Sequence, residues 1–241
     1  MGRAYQNRKE SMAKTSDANA RVYSKYSRKI YVSAKSGGTD PDANLELRSL
    51  LDEAKRSQVP AHVIKKAIDK AEGGTGEDFS VARYEGYGPG NCMVIVDCLS
   101  DNPNRTFGDV RLCFTKTDCT IGTQGTVMHM FDHCAIFVFQ NEDEDAVLEV
   151  LLEADVDVTD IESDGSSITV FAPHTEFHKA KHALQDAFED INFEVSEIQF
   201  VPQTTVDIND EEVIARFDKF IDMLDELEDV QNVFHNALIQ R

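Results

Sequence analysis

The residues in this sequence best suited to chemistry are its cations. Arg3, Arg8, Lys9 and Lys14 lie in an N-terminal stretch with no apolar period. Arg21, Lys25, Arg28 and Lys35 follow at spacings that, at 100° per residue, share one helical face, with Lys29 beside them. A row of ammonium and guanidinium groups behind a basic arm suits contact with successive phosphates. Lys65 and Lys66 form a second, shorter basic pair. A solvated helical surface is the plain alternative, since most charge runs are that. The segregation of charge along the chain favours nucleic acid.

Other constellations carry less. His174, His178 and His182 recur at i, i+4 and i+8 on a predicted helix, but Thr175 stands where a zinc-protease helix has Glu. A solvated face is expected, and no metal. His129 and His133 fall in a strand pattern, where i, i+4 spacing does not bring side chains together. Gly86-x-Gly88-x-Gly90 misses the dinucleotide spacing and precedes a strand, so a tight turn is expected. Gly122-Thr123-Gln124-Gly125 has the form of an RNA-clamping G-x-x-G loop, but that loop joins two helices and here a strand is expected to follow. No nucleophile–base pair is visible, so the chain is not expected to be an enzyme. Five cysteines, Cys92, Cys98, Cys113, Cys119 and Cys134, include no C-x-x-C pair and read as buried reduced thiols.

The elements that must position these groups follow from periodicity. Ser16 and Asp17 offer a cap for a helix over 18–35, with Tyr23, Tyr26, Ile30 and Ala34 on the buried side and four cations facing solvent. Asp40-Pro41 predicts a second helix start, with Leu47, Leu50, Leu51 and Ala54 as its stripe. Pro60 opens a third helix, which Gly73-Gly74 ends. The period then changes to strands over 81–87 and 92–99, a helix over 104–116, and a strand over 126–131. Residues 134–203 read as β-α-β-β-α-β, the ferredoxin-like order. The tail adds a strand, a helix over 210–227 and a strand over 230–235. Joined to the elements over 92–131, it makes a second β-α-β-β-α-β interrupted by the first.

The expected fold is therefore α+β with three domains. A basic helical bundle spans 1–78. A discontinuous ferredoxin-like α/β domain spans 79–133 and 204–241. A ferredoxin-like domain over 134–203 is inserted into it. Net charge follows this division. Residues 1–36 hold nine Lys or Arg against Glu10 and Asp17, whereas the 163 residues from 79 onward hold 9 basic and 33 acidic groups. Such asymmetry suggests one module for a polyanion and another that avoids it. With no long apolar run and no apolar N-terminal core, a cytoplasmic location with no membrane contact is expected.

The chain also resembles the YebC/PmpR family, most of all its shorter YeeN-like branch. The likeness rests on Met1-Gly2-Arg3, Asp40-Pro41-Asp42-Ala43-Asn44, Leu47-Arg48, Pro60 with Ile64 and Ala67-Ile68, Arg83-Tyr84-Glu85-Gly86-Tyr87-Gly88-Pro89, Asp101-Asn102, Asn104-Arg105-Thr106, and Gly125 with Val127. It implies three domains, no cofactor, and a probable transcriptional regulator that binds DNA. Some relatives are translation factors on the ribosome that help synthesis through proline runs. The chain departs from the family pattern at Thr117-Asp118-Cys119, where Asn-Gly-Gly is common, and at Tyr5-Gln6-Asn7, where Trp-Ala-Asn-Ile is common. Three functions are therefore expected in order: DNA-binding regulator, factor on ribosomal RNA, and scaffold whose acidic domains bind protein. Arg105 serves either a partner site or a helix cap.

Overall fold

The structure is a computed structural model that describes residues 16–73, 76, 78–141, 143–188 and 191–240. The arm cations Arg3, Arg8, Lys9 and Lys14 lie outside the described residues. The protein is α+β and forms two compact units. One is Met130–Gln203; the other joins the described residues up to His129 with those from Thr204 on.

The described residues open with α1 (Ser16–Gly37), α2 (Leu45–Arg56) and α3 (Ala61–Glu72), and both shorter helices pack on α1. Their core holds Ile30, Tyr31, Ala34, Leu47, Ala54, Val59 and Ala67. The second helix begins later than its Asp40-Pro41 signal suggests. Residues 40–44 form a turn closed by Asn44 N–H to the Asp40 carbonyl at 2.9 Å. Asn44 is the cap instead: its Oδ1 accepts from Leu47 N–H at 3.0 Å, and its Nδ2 donates to the Ser33 and Gly38 carbonyls. One buried amide thus caps the start of one helix and ties it to the last turns of the helix before. Gly37 makes room for it, since a Cβ there would lie 2.6 Å from Asn44 Nδ2.

The α2–α3 connection is four residues long. Gln58 takes φ +56°, and Val59 N–H reaches back to the Ala54 carbonyl at 2.9 Å while Gln58 N–H reaches Lys55. That pattern is a Schellman ending, with buried Val59 and Ala54 in the same apolar cluster. Pro60 then caps α3 with extended backbone, as its position predicts.

The next elements are β1 (Ser80–Tyr87), β2 (Met93–Ser100), α4 (Pro103–Lys116) and β3 (Thr120–Ile121). The inserted unit follows with β4 (Phe131–Gln140), α5 (Glu144–Glu153), β5 (Asp160–Ser163), β6 (Ser167–Pro173), α6 (Phe177–Ala187) and β7 (Phe193–Pro202). Its antiparallel sheet has the order β5-β6-β4-β7, the ferredoxin-like arrangement, over a core that includes Phe137, Phe139, Leu151 and Leu184. The chain then returns through β8 (Val206–Ile208), α7 (Glu211–Asp225), β9 (Val230–His235) and β10 (Ala237–Ile239).

The discontinuous sheet departs from the expected strand roles. Its order is β3-β1-β2-β9, so β1 occupies the slot that a third ferredoxin-like strand would fill. A hairpin through Gly88–Cys92 joins β1 to β2 in eight-residue antiparallel register, and this local closure costs far less chain entropy than pairing across the insertion. The displaced strand β8 pairs instead with β10, in parallel. A strand over 126–131 is also absent. Met128–Met130 is a 3-10 turn and β4 starts at Phe131. The reason is Glu85, whose carboxylate accepts the N–H groups of Gly125, Val127 and Met128 at 2.7–2.8 Å and removes them from any ladder.

The five cysteines are free. Burial pushes the Cys92 and Cys98 thiols up to about 12, so they behave as small apolar side chains.

Candidate nucleic-acid interface

The cations of α1 do not face solvent alone. Arg21 pairs with Glu226 at 3.8 Å and Lys25 with Asp225 at 3.3 Å. Arg28 donates Nη2 to Glu228 at 2.8 Å, and Nη1 to Asp229 at 2.5 Å and to the Glu228 carbonyl at 2.9 Å. Successive turns of α1 therefore meet the end of α7 and the short link to β9. Lys35 pairs with Asp78 at 2.7 Å, and Lys29 lies 5.9 Å from the Tyr26 ring centre. Lys65 and Lys66 project from the exposed side of α3 and enter no ion pair among the described residues.

Asp229 is the hub. Leu99 N–H anchors its backbone carbonyl at 2.8 Å. Its Oδ2 accepts from Thr106 Oγ1 at 2.6 Å, Arg105 Nη2 at 2.9 Å and Ser100 Oγ at 3.2 Å, while Oδ1 takes Arg28. Burial alone would raise this carboxyl, but the bonds from Thr106, Arg105 and Arg28 outweigh it and bring it down to about 2. Arg105 also bonds Asp101 at 2.6 Å, and the pull of Asp229 and then Asp101 raises its pKa further. The helix cap at this corner is Asn102, whose Oδ1 accepts from Arg105 N–H at 3.2 Å. The Arg105 side chain thus joins the carboxylate hub, and the cap belongs to its backbone.

Arg28, Asp101, Arg105, Thr106 and Asp229 line a cleft of about 780 Å³. Its α3 wall carries His62, Lys66 and Lys70 at i, i+4 and i+8. Across it stand Arg28, Arg105 and the acidic link after α7. Phe79 lies beneath Arg28, whose guanidinium carbon is 5.6 Å from the ring centre.

Sequence reasoning missed Asp229, Ser100 and Glu85 as organising residues. The nearest signal was the polar run from Asp101 to Thr106, which reads as a turn and a cap. The histidines gather differently from their spacing. His133 stacks on His174 at 4.0 Å and on Phe200 at 4.3 Å, within the inserted unit. Among the described residues no cluster of three or more His, Cys, Asp or Glu is placed to hold a metal ion. No described helix is long and apolar enough to cross a membrane.

Comparison with known proteins places this geometry. Residues 3–74 match the TACO1/YebC protein N-terminal domain, and residues 79–237 match the TACO1/YebC second and third domain. The chain belongs to the TACO1/YebC family. This YebC-family chain is 70% identical over 237 residues to a "Probable transcriptional regulatory protein" of Saccharophagus degradans, covering 98% of this chain and 99% of that one. A protein of the same name from Marinobacter nauticus is also 70% identical over 237 residues, 98% of each chain. Among solved structures, the conserved hypothetical protein Aq1575 from Aquifex aeolicus matches with a TM-score of 0.78 at 32% identity, over 95% of this chain and 94% of that one.

Proposed function

We propose that this YebC-family protein regulates gene expression by binding nucleic acid through its basic N-terminal domain, residues 1–78. The observation that carries this reading is the α2–turn–α3 unit. Two helices joined by a four-residue turn present a third-helix face of His62, Lys65, Lys66 and Lys70, all exposed. In the sequence, Arg3, Arg8, Lys9 and Lys14 add to the positive charge of the same domain, and the names of the relatives support a regulator.

A second reading, ribosomal RNA as the target, has its own observation. The helix α3 offers Lys65, Lys66 and Lys70, compact point charges, and no Arg, Asn or Gln, whose planar groups make the more specific two-point contacts with base edges. Lysines that meet phosphates position a protein without reading sequence, which suits recognition of RNA by shape.

The test is binding at physiological salt to a promoter-containing duplex, a random duplex and purified ribosomes. Preference for the promoter supports transcriptional control. Saturable ribosome binding with weak, salt-sensitive duplex binding moves the regulation to translation. Changing Lys65 and Lys66 to Ala should flatten the salt dependence on duplex DNA by about two units, from a slope of about −0.9 per phosphate. An unaltered slope would remove α3 from the interface.

A further inference from the structure

We infer that Arg21 and Lys25 form a second polyanion-contact surface on α1, masked in this conformation by Asp225 and Glu226. The inference rests on the proposed nucleic-acid reading and adds a regulation to it.

The four ion pairs between α1 and the end of α7 differ in kind. Arg28 and Asp229 are nearly covered, with side chains 18% and 9% exposed, and Asp229 has further partners in Thr106, Arg105 and Ser100. They form a fixed pivot. The outer pairs are single and their carboxylates are wetter, while Lys25 at 20% exposed is as covered as Arg28. Glu226 and Asp225 keep 64% and 47% of their side-chain surface in water, and the Arg21–Glu226 separation is 3.8 Å. Pairs of this kind exchange readily with solvent and are screened by salt.

The placement of the carboxylates is itself unfavourable for α7. Asp225 is its last residue and Glu226 its C-cap, with no basic residue in the last turn. A helix C-terminus carries partial negative charge, so carboxylates there are repelled by the helix that bears them. The α1 cations relieve that repulsion. A phosphate strand offers the same cations the same chemistry, charged oxygen acceptors, while the freed carboxylates return to water. Asp225 and Glu226 thus act as tethered stand-ins for phosphates, and a polyanion must displace them to reach Arg21 and Lys25.

The test uses the full chain carrying Asp225→Asn and Glu226→Gln. Binding of a fluorescent random duplex is followed by anisotropy over a salt series. Unmasking two cations should steepen the salt slope by about two units, at about −0.9 per phosphate. A control, Glu149→Gln with Glu153→Gln on the exposed side of α5, makes the same change in net charge within the other compact unit. Adding Arg21→Ala and Lys25→Ala to the unmasked variant should restore the wild-type slope. Equal slopes for wild type and the unmasked variant overturn the inference and leave the α3 reading intact. An equal gain in the control overturns it too, because net charge then explains the effect. If neither wild type nor the unmasked variant binds, both readings fall. Circular dichroism and a thermal melt of each variant confirm that it is folded.

Discussion

Arg28 and Asp229 are 201 residues apart in the chain, and the guanidinium Nη1 of one lies 2.5 Å from the carboxylate Oδ1 of the other. The bond ties α1 to the link between α7 and β9. The same carboxylate holds the cap region of α4 through Thr106 and Arg105. One side chain therefore joins the helical region to two corners of the discontinuous α/β part.

Asp229→Ala should be among the most damaging single changes in the chain. It leaves Arg28, Thr106 and Ser100 without a shared acceptor, and removing one partner of a largely covered charge network costs about 3 kcal/mol. Urea unfolding should show that loss in the midpoint. Asp78→Ala removes only the exposed pair with Lys35 and should leave the midpoint unchanged. Equal effects would mean that Asp229 is not a hub.

The same carboxylate predicts the acid limb of stability. Its folded pKa of about 2 lies below the ordinary 3.8, so its contribution is full above pH 4 and is lost as pH falls from about 4 through 2. Glu85 is lowered as well: burial pushes it up, but the N–H groups of Gly125, Val127 and Met128 prevail. Stability measured between about pH 5 and 2 should fall on acidification, and Asp229→Asn should flatten that fall. An unchanged acid limb in the variant would place the titration elsewhere.

Glu85→Gln tests the loop that carries Gly122 and Gly125. The amide keeps one acceptor oxygen but turns an NH2 toward a backbone donor, at a cost of about 2 kcal/mol. Hydrogen exchange should speed up at Gly125, Val127 and Met128, whose amides bond the carboxylate in the wild type. Exchange that stays slow at all three would show the loop held by other contacts.

Two glycine exchanges have opposite signs. Asp118 takes φ +57° at the end of α4, where Cys119 N–H returns to the Phe114 carbonyl at 2.8 Å. A left-handed residue is strained unless it is Gly, so Asp118→Gly should stabilise by about 0.5–1 kcal/mol. It falls in the tripeptide where the family commonly has Asn-Gly-Gly. At Gly86 a Cβ would lie 2.4 Å from the Thr120 carbonyl and 2.7 Å from the Phe114 ring. Backbone cannot yield there, and Gly86→Ala should destabilise by about 1–3 kcal/mol. Thermal melts of the two variants should move in opposite directions.

Much of the fold was legible because its signals are local. Pro60, through its fixed backbone, and the polar run Asp101–Thr106, through the Asn102 cap, mark helix starts with signals that need only neighbouring residues. The apolar stripe on α1 marks the buried side with Ile30 and Ala34. The alternation and turns over the insertion predict the β-α-β-β-α-β order. The first expected strand after α4 failed for a non-local reason, since Glu85, 42 residues from Val127, claims its amides.

Local signals along the chain set where it turns, which helix faces are apolar, and that positive charge is concentrated at the N-terminus. What those charges meet was set by long-range packing. Helical period places Arg21, Lys25 and Arg28 on one face, but ionic attraction has little directional preference and no sequence register. The chain offers 44 acidic residues as partners, and nothing local selects four of them. The return of the chain after the insertion brings Asp225, Glu226, Glu228 and Asp229 against α1, because α7 packs through Phe217, Phe220 and Leu224 on the sheet. Packing of apolar side chains set the distance, and the ion pairs followed from it.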